Sequence, residues 1–187
     1  MSRDKKVGPI VARSGLLFVS LGHNQNQIKV MKPKIICTHD HYNKESAIAA
    51  ADTKNCTVYA LAAAFEVPYD KAHAAMAPYR KHGVGVTTLS LIQMLTNLVL
   101  SGKKVVQRID HPTTLYASYD PKLKHTWEYG KKVYRKMTVA TFAKVYNNGT
   151  YYILVRGHAL VVKDGVVVDN LYTPKLKQPV MYAFKIG

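Results

Sequence analysis

The dipeptide Asp164-Gly165 does most to limit what this chain can fold into, because it stands between two valine-rich runs, 158–163 and 166–170. Asp-Gly favours the two-residue turn with positive φ at both positions, which closes a right-twisted antiparallel hairpin. A two-residue turn pairs Lys163 with Val166, Leu160 with Asp169, and His158 with Leu171. Side chains alternate along a strand, so His158, Leu160 and Asp169 share one face, with Asp169 diagonal to His158. Asn170 then points to the opposite face. A one-residue change in the turn would exchange the two, so either stands open as the group beside His158.

Residues 150–155 and 180–186 also read as strands, and 104–109 alternates weakly. The preceding third of the chain has helical spacing instead. Asp52 or Thr53 can cap a helix that carries Cys56, Tyr59, Ala60, Ala63 and Ala64 on one face. Asp70 caps a second helix over 71–81. Thr87 and Thr88 open a third, with Leu89, Ile92, Leu95, Leu98 and Val99 as its stripe. Thr138 caps a short one over 139–146. Helices first and an antiparallel sheet after them predict an α+β fold.

Charge separates an arm from a domain. The chain of 187 residues holds 27 Lys and Arg against 11 Asp and Glu, a formal charge of +16. Such a balance points to a polyanionic partner, nucleic acid or an acidic surface, or else to a well-solvated exterior. Residues 1–45 read as a basic arm, with seven basic residues against one acidic up to Lys34, and 46–187 as the domain. The arm has strand-like content at 15–20 and 34–38. A second basic stretch, 121–136, interleaves Lys122, Lys124, Lys131, Lys132, Arg135 and Lys136 with Trp127, Tyr129 and Tyr134. Cations between aromatic faces suit a single-stranded nucleic acid, and equally a solvated strand pair whose rings pack on a sheet.

Other classes are excluded more simply. Two cysteines, Cys37 and Cys56, cannot build a disulfide framework, and are expected as free thiols in a reducing compartment. No apolar run approaches the ~20 residues of a bilayer span. The N-terminus does not read as a signal peptide, so an intracellular protein without a membrane partner is expected. Cys37, His39, Asp40 and His41 are metal-ligand types, and on a strand His39 and His41 would share a face. No second cluster follows at structural-zinc spacing, so neither metal nor cofactor is expected.

One constellation carries chemistry. Cys56 lies in the first turn of a helix, directly after Asn55, where partial positive charge favours a thiolate and free amides can receive an oxyanion. His158 opens a strand after Arg156-Gly157, about a hundred residues further on. Alone, Cys56 reads as well as a small buried hydrophobe, and His158 as a core or surface histidine. Together with Asp169 they form a set in which the histidine takes the thiol proton and the acid fixes the ring's tautomer.

At these residues the chain also resembles a family. Asn55-Cys56-Thr57-Val58-Tyr59-Ala60-Leu61, the 69–73 helix start (YDKAH), the 138–142 block (TVATF) and Gly149-Thr150-Tyr151 leading to Gly157-His158-Ala159 look like papain-like cysteine peptidase folds of tailed bacteriophages. The 164–169 hairpin (DGVVVD) and the 180–185 strand (VMYAFK) continue the likeness, which runs from about residue 54 to the C-terminus. The resemblance implies N-terminal helices carrying Cys56 as nucleophile, packed on a C-terminal antiparallel sheet carrying His158 as base, with Asp169 as orienting acid. It implies a papain-like hydrolase of phage origin that cleaves a peptide or isopeptide bond, in the host cytoplasm or the virion. Papain's oxyanion-hole glutamine, six residues before the cysteine, is Ala50 here, so Asn55 and the Cys56 amide are expected to replace it. The rival expectation is a virion or DNA-associated structural protein that keeps the fold with little or no activity. Nucleic acid or other virion proteins would then be the partners of the basic arm.

Overall fold

The structure, a computed structural model, describes residues 33–53, 55–80, 86–117 and 132–187. Its strands are β1 (Ile35–Cys37), β2 (Val99–Leu100), β3 (Lys103–Asp110), β4 (Thr113–Ala117), β5 (Lys132–Lys136), β6 (Thr150–Val155), β7 (His158–Lys163), β8 (Val166–Asp169) and β9 (Tyr182–Ile186). Its helices are α1 (His39–Glu45), α2 (Ala47–Ala51), α3 (Cys56–Phe65), α4 (Tyr69–Met76), α5 (Thr88–Asn97) and α6 (Val139–Val145). Seven strands form one open sheet in the order β1-β8-β7-β6-β9-β3-β2, and β4 pairs with β5 in a separate ribbon. The fold is α+β.

The hairpin has the register its turn chemistry demands: Lys163 faces Val166, Val162 faces Val167, and Val161 faces Val168. Asp164 and Gly165 both take positive φ, 48° and 77°. A side chain at Gly165 would meet the Ala143 carbonyl at 3.2 Å, so strain and crowding both select glycine there. The Asp164 carboxylate accepts the Gly149 amide at 2.8 Å, which ties the turn to the start of β6.

Strands with apolar residues on both faces need cover on both. Tyr152, Leu154, Ala159, Val161 and Phe184 face the layer of α1 to α5, with Tyr59, Leu61, Phe65, Met76 and Leu95 across from them. Tyr151, Ile153, Leu160, Val162 and Ala183 face the other way, onto Val139 and Phe142 of α6. The sheet is thus a middle layer.

Several elements differ from expectation. The sheet is not wholly antiparallel: β1 runs parallel to β8, with Ile35 beside Val167 and Cys37 beside Asp169. The boundary expected at residue 45 falls inside ordered structure, since β1 completes the sheet edge and Tyr42 of α1 lies in the core. Residues 1–32 of the expected arm lie outside the described residues, as do 121–131 of the second basic stretch. Asn55, rather than Asp52 or Thr53, is the N-cap of α3, and its side chain makes no capping bond. Asp52 instead ends α2, pairs with Arg80 at 2.8 Å, and accepts the Tyr69 hydroxyl at 3.1 Å. Asp70 sits inside the first turn of α4, where it accepts the Ser46 hydroxyl. Thr87 does cap α5, accepting the Ser90 amide at 3.2 Å. The buried stripe of α5 is Leu91, Met94 and Leu95, while Leu89 is 76% exposed because it lies roughly half a turn round from Leu91.

Candidate active site

The site is built where α3 meets the ends of β7 and β8. His158 is the first residue of β7, directly across the turn from Val155, the last of β6. The intervening Gly157 takes φ 67°, which a side chain would resist, and the reversal leaves His158 at the sheet's end with only 8% exposure. Asp169 closes β8 and is 2% exposed. Its Oδ1 lies 2.7 Å from His158 Nε2 and also accepts the Leu171 amide at 3.2 Å. The Asp169 carbonyl accepts the Thr38 amide at 2.8 Å, so the chain following β1 holds the acid's backbone in place. Asp169 Oδ2 is buried without a partner among the described residues. An under-satisfied buried carboxylate favours a cation beside it. Burial opposes a charge on His158, but the hydrogen bonds with Asp169 and Cys56 outweigh it and hold the ring's pKa up to about 9.

Cys56 is the first residue of α3 and is half-buried. Burial raises its pKa, yet the hydrogen bond with His158 and those from the Ala159 and Thr57 amides bring the thiol below its ordinary value. With Nε2 taken by Asp169, the ring nitrogen left for the thiol is Nδ1. The first turn of α3 is fixed from below, where the hydroxyl of the buried Tyr152 donates to the Thr57 carbonyl at 3.1 Å. From its start, the Asn55 carbonyl accepts the Val58 and Tyr59 amides at 2.9 Å each. The Cys56 amide is one of the first-turn N–H groups that have no intrahelical acceptor, at the end of α3 that carries the partial positive charge.

The two carboxyl-side alternatives separate cleanly. Asp169 takes His158, while Asn170 Nδ2 donates to Asn55 Oδ1 at 3.3 Å and leaves its own Oδ1 buried without a partner among the described residues. Asn55 Nδ2 donates to the Asp52 carbonyl, so its carboxamide is anchored on two sides. Ala50 is an exposed residue of α2 and is not in the lining of the pocket described below.

A pocket of about 510 Å³ opens over these residues, with Cys56, His158, Asn55 and Asn170 in its lining and Leu91, Leu154 and Met181 among its apolar walls. Its volume is in the range of small-ligand sites, about 300–1,000 Å³.

The other ligand-type cluster takes no such form. His39 and His41 begin helix α1 rather than sharing a strand face. His39 Nδ1 lies 3.1 Å from Asp40, and His41 lies 3.5 Å from Glu45. Among the described residues, no group of three or more His, Cys, Asp or Glu is arranged to hold a metal ion. No helix among them is long and apolar enough to cross a membrane.

Sequence reasoning brought Cys56, His158 and Asp169 to one place and missed what holds them there. Thr38 and Ala159 act through backbone amides, and Tyr152 through a hydroxyl, at positions that the topology alone brings to the site. Tyr152 carried a usable signal, a tyrosine in an otherwise aliphatic strand whose hydroxyl needs a partner. No protein-family profile, no curated protein and no solved structure matches this chain.

Proposed function

We propose that this chain is a papain-like cysteine hydrolase of phage origin, cleaving a peptide or isopeptide bond through Cys56, His158 and Asp169. The observation that carries the reading is the buried His158 Nε2 to Asp169 Oδ1 contact at 2.7 Å, in a pocket that Cys56 and His158 line together and where the His158 ring lowers the pKa of the thiol. In the resting pair the thiol proton sits on His158 Nδ1. The Cys56 sulfur attacks the carbonyl carbon, and the carbonyl π pair moves onto oxygen. The Cys56 amide and the second hydrogen of Asn55 Nδ2 are the donors assigned to that oxyanion. On collapse the C–N bond breaks, His158 Nδ1 gives its proton to the leaving nitrogen, and a thioester remains. Water then attacks the thioester carbon while Nδ1 takes the water's proton, and sulfur leaves as thiolate. Asp169 keeps the ring oriented throughout and stabilises its cationic form.

The test is labelling by a peptidase-directed electrophilic probe. Wild type is expected to label at Cys56 and the Cys56→Ala variant to lose the label. Equal labelling of both proteins, through Cys37, would contradict the reading.

The alternative, a virion or DNA-associated protein with the same fold, draws on the +16 charge. It expects salt-dependent binding to nucleic acid with no labelling at Cys56.

A further inference from the structure

A pocket beside a nucleophile reveals its substrate by which charges it holds and which it lacks. Of the side chains lining this one, Lys175 is a cation and none is a carboxylate. Asp169 lies beneath His158, buried and engaged by it, outside the lining. Lys175 forms no ion pair with any described residue, although Lys103 and Lys163 both find Glu66, and Arg80 finds Asp52. Nor is it a loosely tethered surface lysine. Its carbonyl accepts the Gln178 amide at 3.0 Å, and the next carbonyl, Leu176, accepts the Ala140 amide at 3.1 Å. The loop is therefore pinned to the start of α6, and Lys175, partly buried, belongs to the pocket lining. The lining also holds Leu91, Leu154 and Met181, which offer an apolar surface, beside the neutral polar side chains of Thr88, Asn55 and Asn170. The Cys56 thiolate of the same lining is already matched by the His158 ring, so a partly buried Lys175 in a pocket lined by no carboxylate favours an anion carried in by the substrate.

We propose that the substrate carries a carboxylate close to the scissile bond, bound by Lys175, together with an apolar side chain seated against Leu91, Leu154 and Met181. This rests on the hydrolase reading above. The carboxylate has two sources, an Asp or Glu side chain or the C-terminus of the acceptor chain, and both present the same group to Lys175.

The test uses peptidyl vinyl sulfones that share one leucine and differ at one position, Glu, Gln or Lys, in pairs with a free or an amidated C-terminus. The second-order rate of Cys56 modification is read by mass spectrometry, with Cys37 as the internal reference. Wild type is expected to react about tenfold faster with the carboxylate-bearing probe than with its neutral isostere, the value of one charge-assisted contact. Lys175→Glu is expected to reverse the order, favouring the Lys probe. Preference for Glu over Gln assigns the side-chain source, and preference for the free over the amidated terminus assigns the terminal one. Rapid modification of Cys56 with no preference among the probes would overturn the carboxylate proposal alone. Modification of Cys56 no faster than that of Cys37 by every probe would overturn it together with the hydrolase reading.

Discussion

The buried Asp169 Oδ2, which has no partner among the described residues, sets the chemistry of its neighbour at the residue scale. A carboxylate enclosed this way gains most when the ring it touches is an imidazolium. Replacing it by alanine removes both the charge and the orientation, and a loss of roughly 10²-fold or more in kcat/KM is expected. Asp169→Asn keeps an acceptor for Nε2–H and is expected to keep part of that activity, while His158 gives up its proton at lower pH. Titration of the His158 ring by NMR checks this. Tyr152→Phe is a subtler test, because it deletes only the hydroxyl that holds the Thr57 carbonyl. The expected cost is about 1 kcal/mol of stability. A slower thiol at Cys56 is expected with it, measured by alkylation against wild type. These residues differ in how legible they were. Cys56, His158 and Asp169 follow from chemistry and strand alternation, whereas Tyr152 and Lys175 matter through what they face across the fold.

Local turn chemistry made some elements readable, and long-range pairing hid others. Asp164-Gly165 set its own register, and Thr138 and Thr87 capped their helices through side chains three residues from their targets. By contrast, β1 is three residues, each paired with a partner 132 positions further along the chain, and nothing in its local pattern announces that partner. Helices α1 and α2 are short, with seven and five residues, and draw their stability from burial of Tyr42 and Ala49 rather than from periodicity. The expected consequence is a difference between two truncations. Removal of residues 1–45 takes away β1, the Thr38 bonds to Asp169 and the buried Tyr42, and is expected to cost several kcal/mol more than removal of 1–32. Urea midpoints for the two chains decide it.

A second element-scale device closes α3. Glu66, in a left-handed conformation at φ 56°, accepts hydrogen bonds from Lys103 and Lys163, which hold its carboxyl down to about 2 from an ordinary 4.5. The unfolded chain binds this proton more tightly, so the stabilisation is complete above 4.5 and is lost as pH falls through about 2. Glu66 is half exposed, and solvent screening leaves only a few tenths of a kcal/mol. Glu66→Gln is expected to lower the urea midpoint slightly at neutral pH, with the gap closing between 4.5 and 2.

For the whole molecule, the site depends on two layers and a loop arriving together. The helical layer brings Cys56, the sheet brings His158 and Asp169, and the loop after β8 brings Asn170 and Lys175. Unfolding is therefore expected to erase the thiol's activation in one cooperative step along with the sheet. The central claim is that Cys56 is ionised by its histidine, and the rate of Cys56 alkylation by iodoacetamide as a function of pH tests it directly. The account expects Cys56 to react as thiolate well below the pH at which Cys37 does. His158→Ala is expected to move the Cys56 profile up to the ordinary thiol range. Overlapping profiles for Cys56 and Cys37 in wild type, unmoved by His158→Ala, would contradict it.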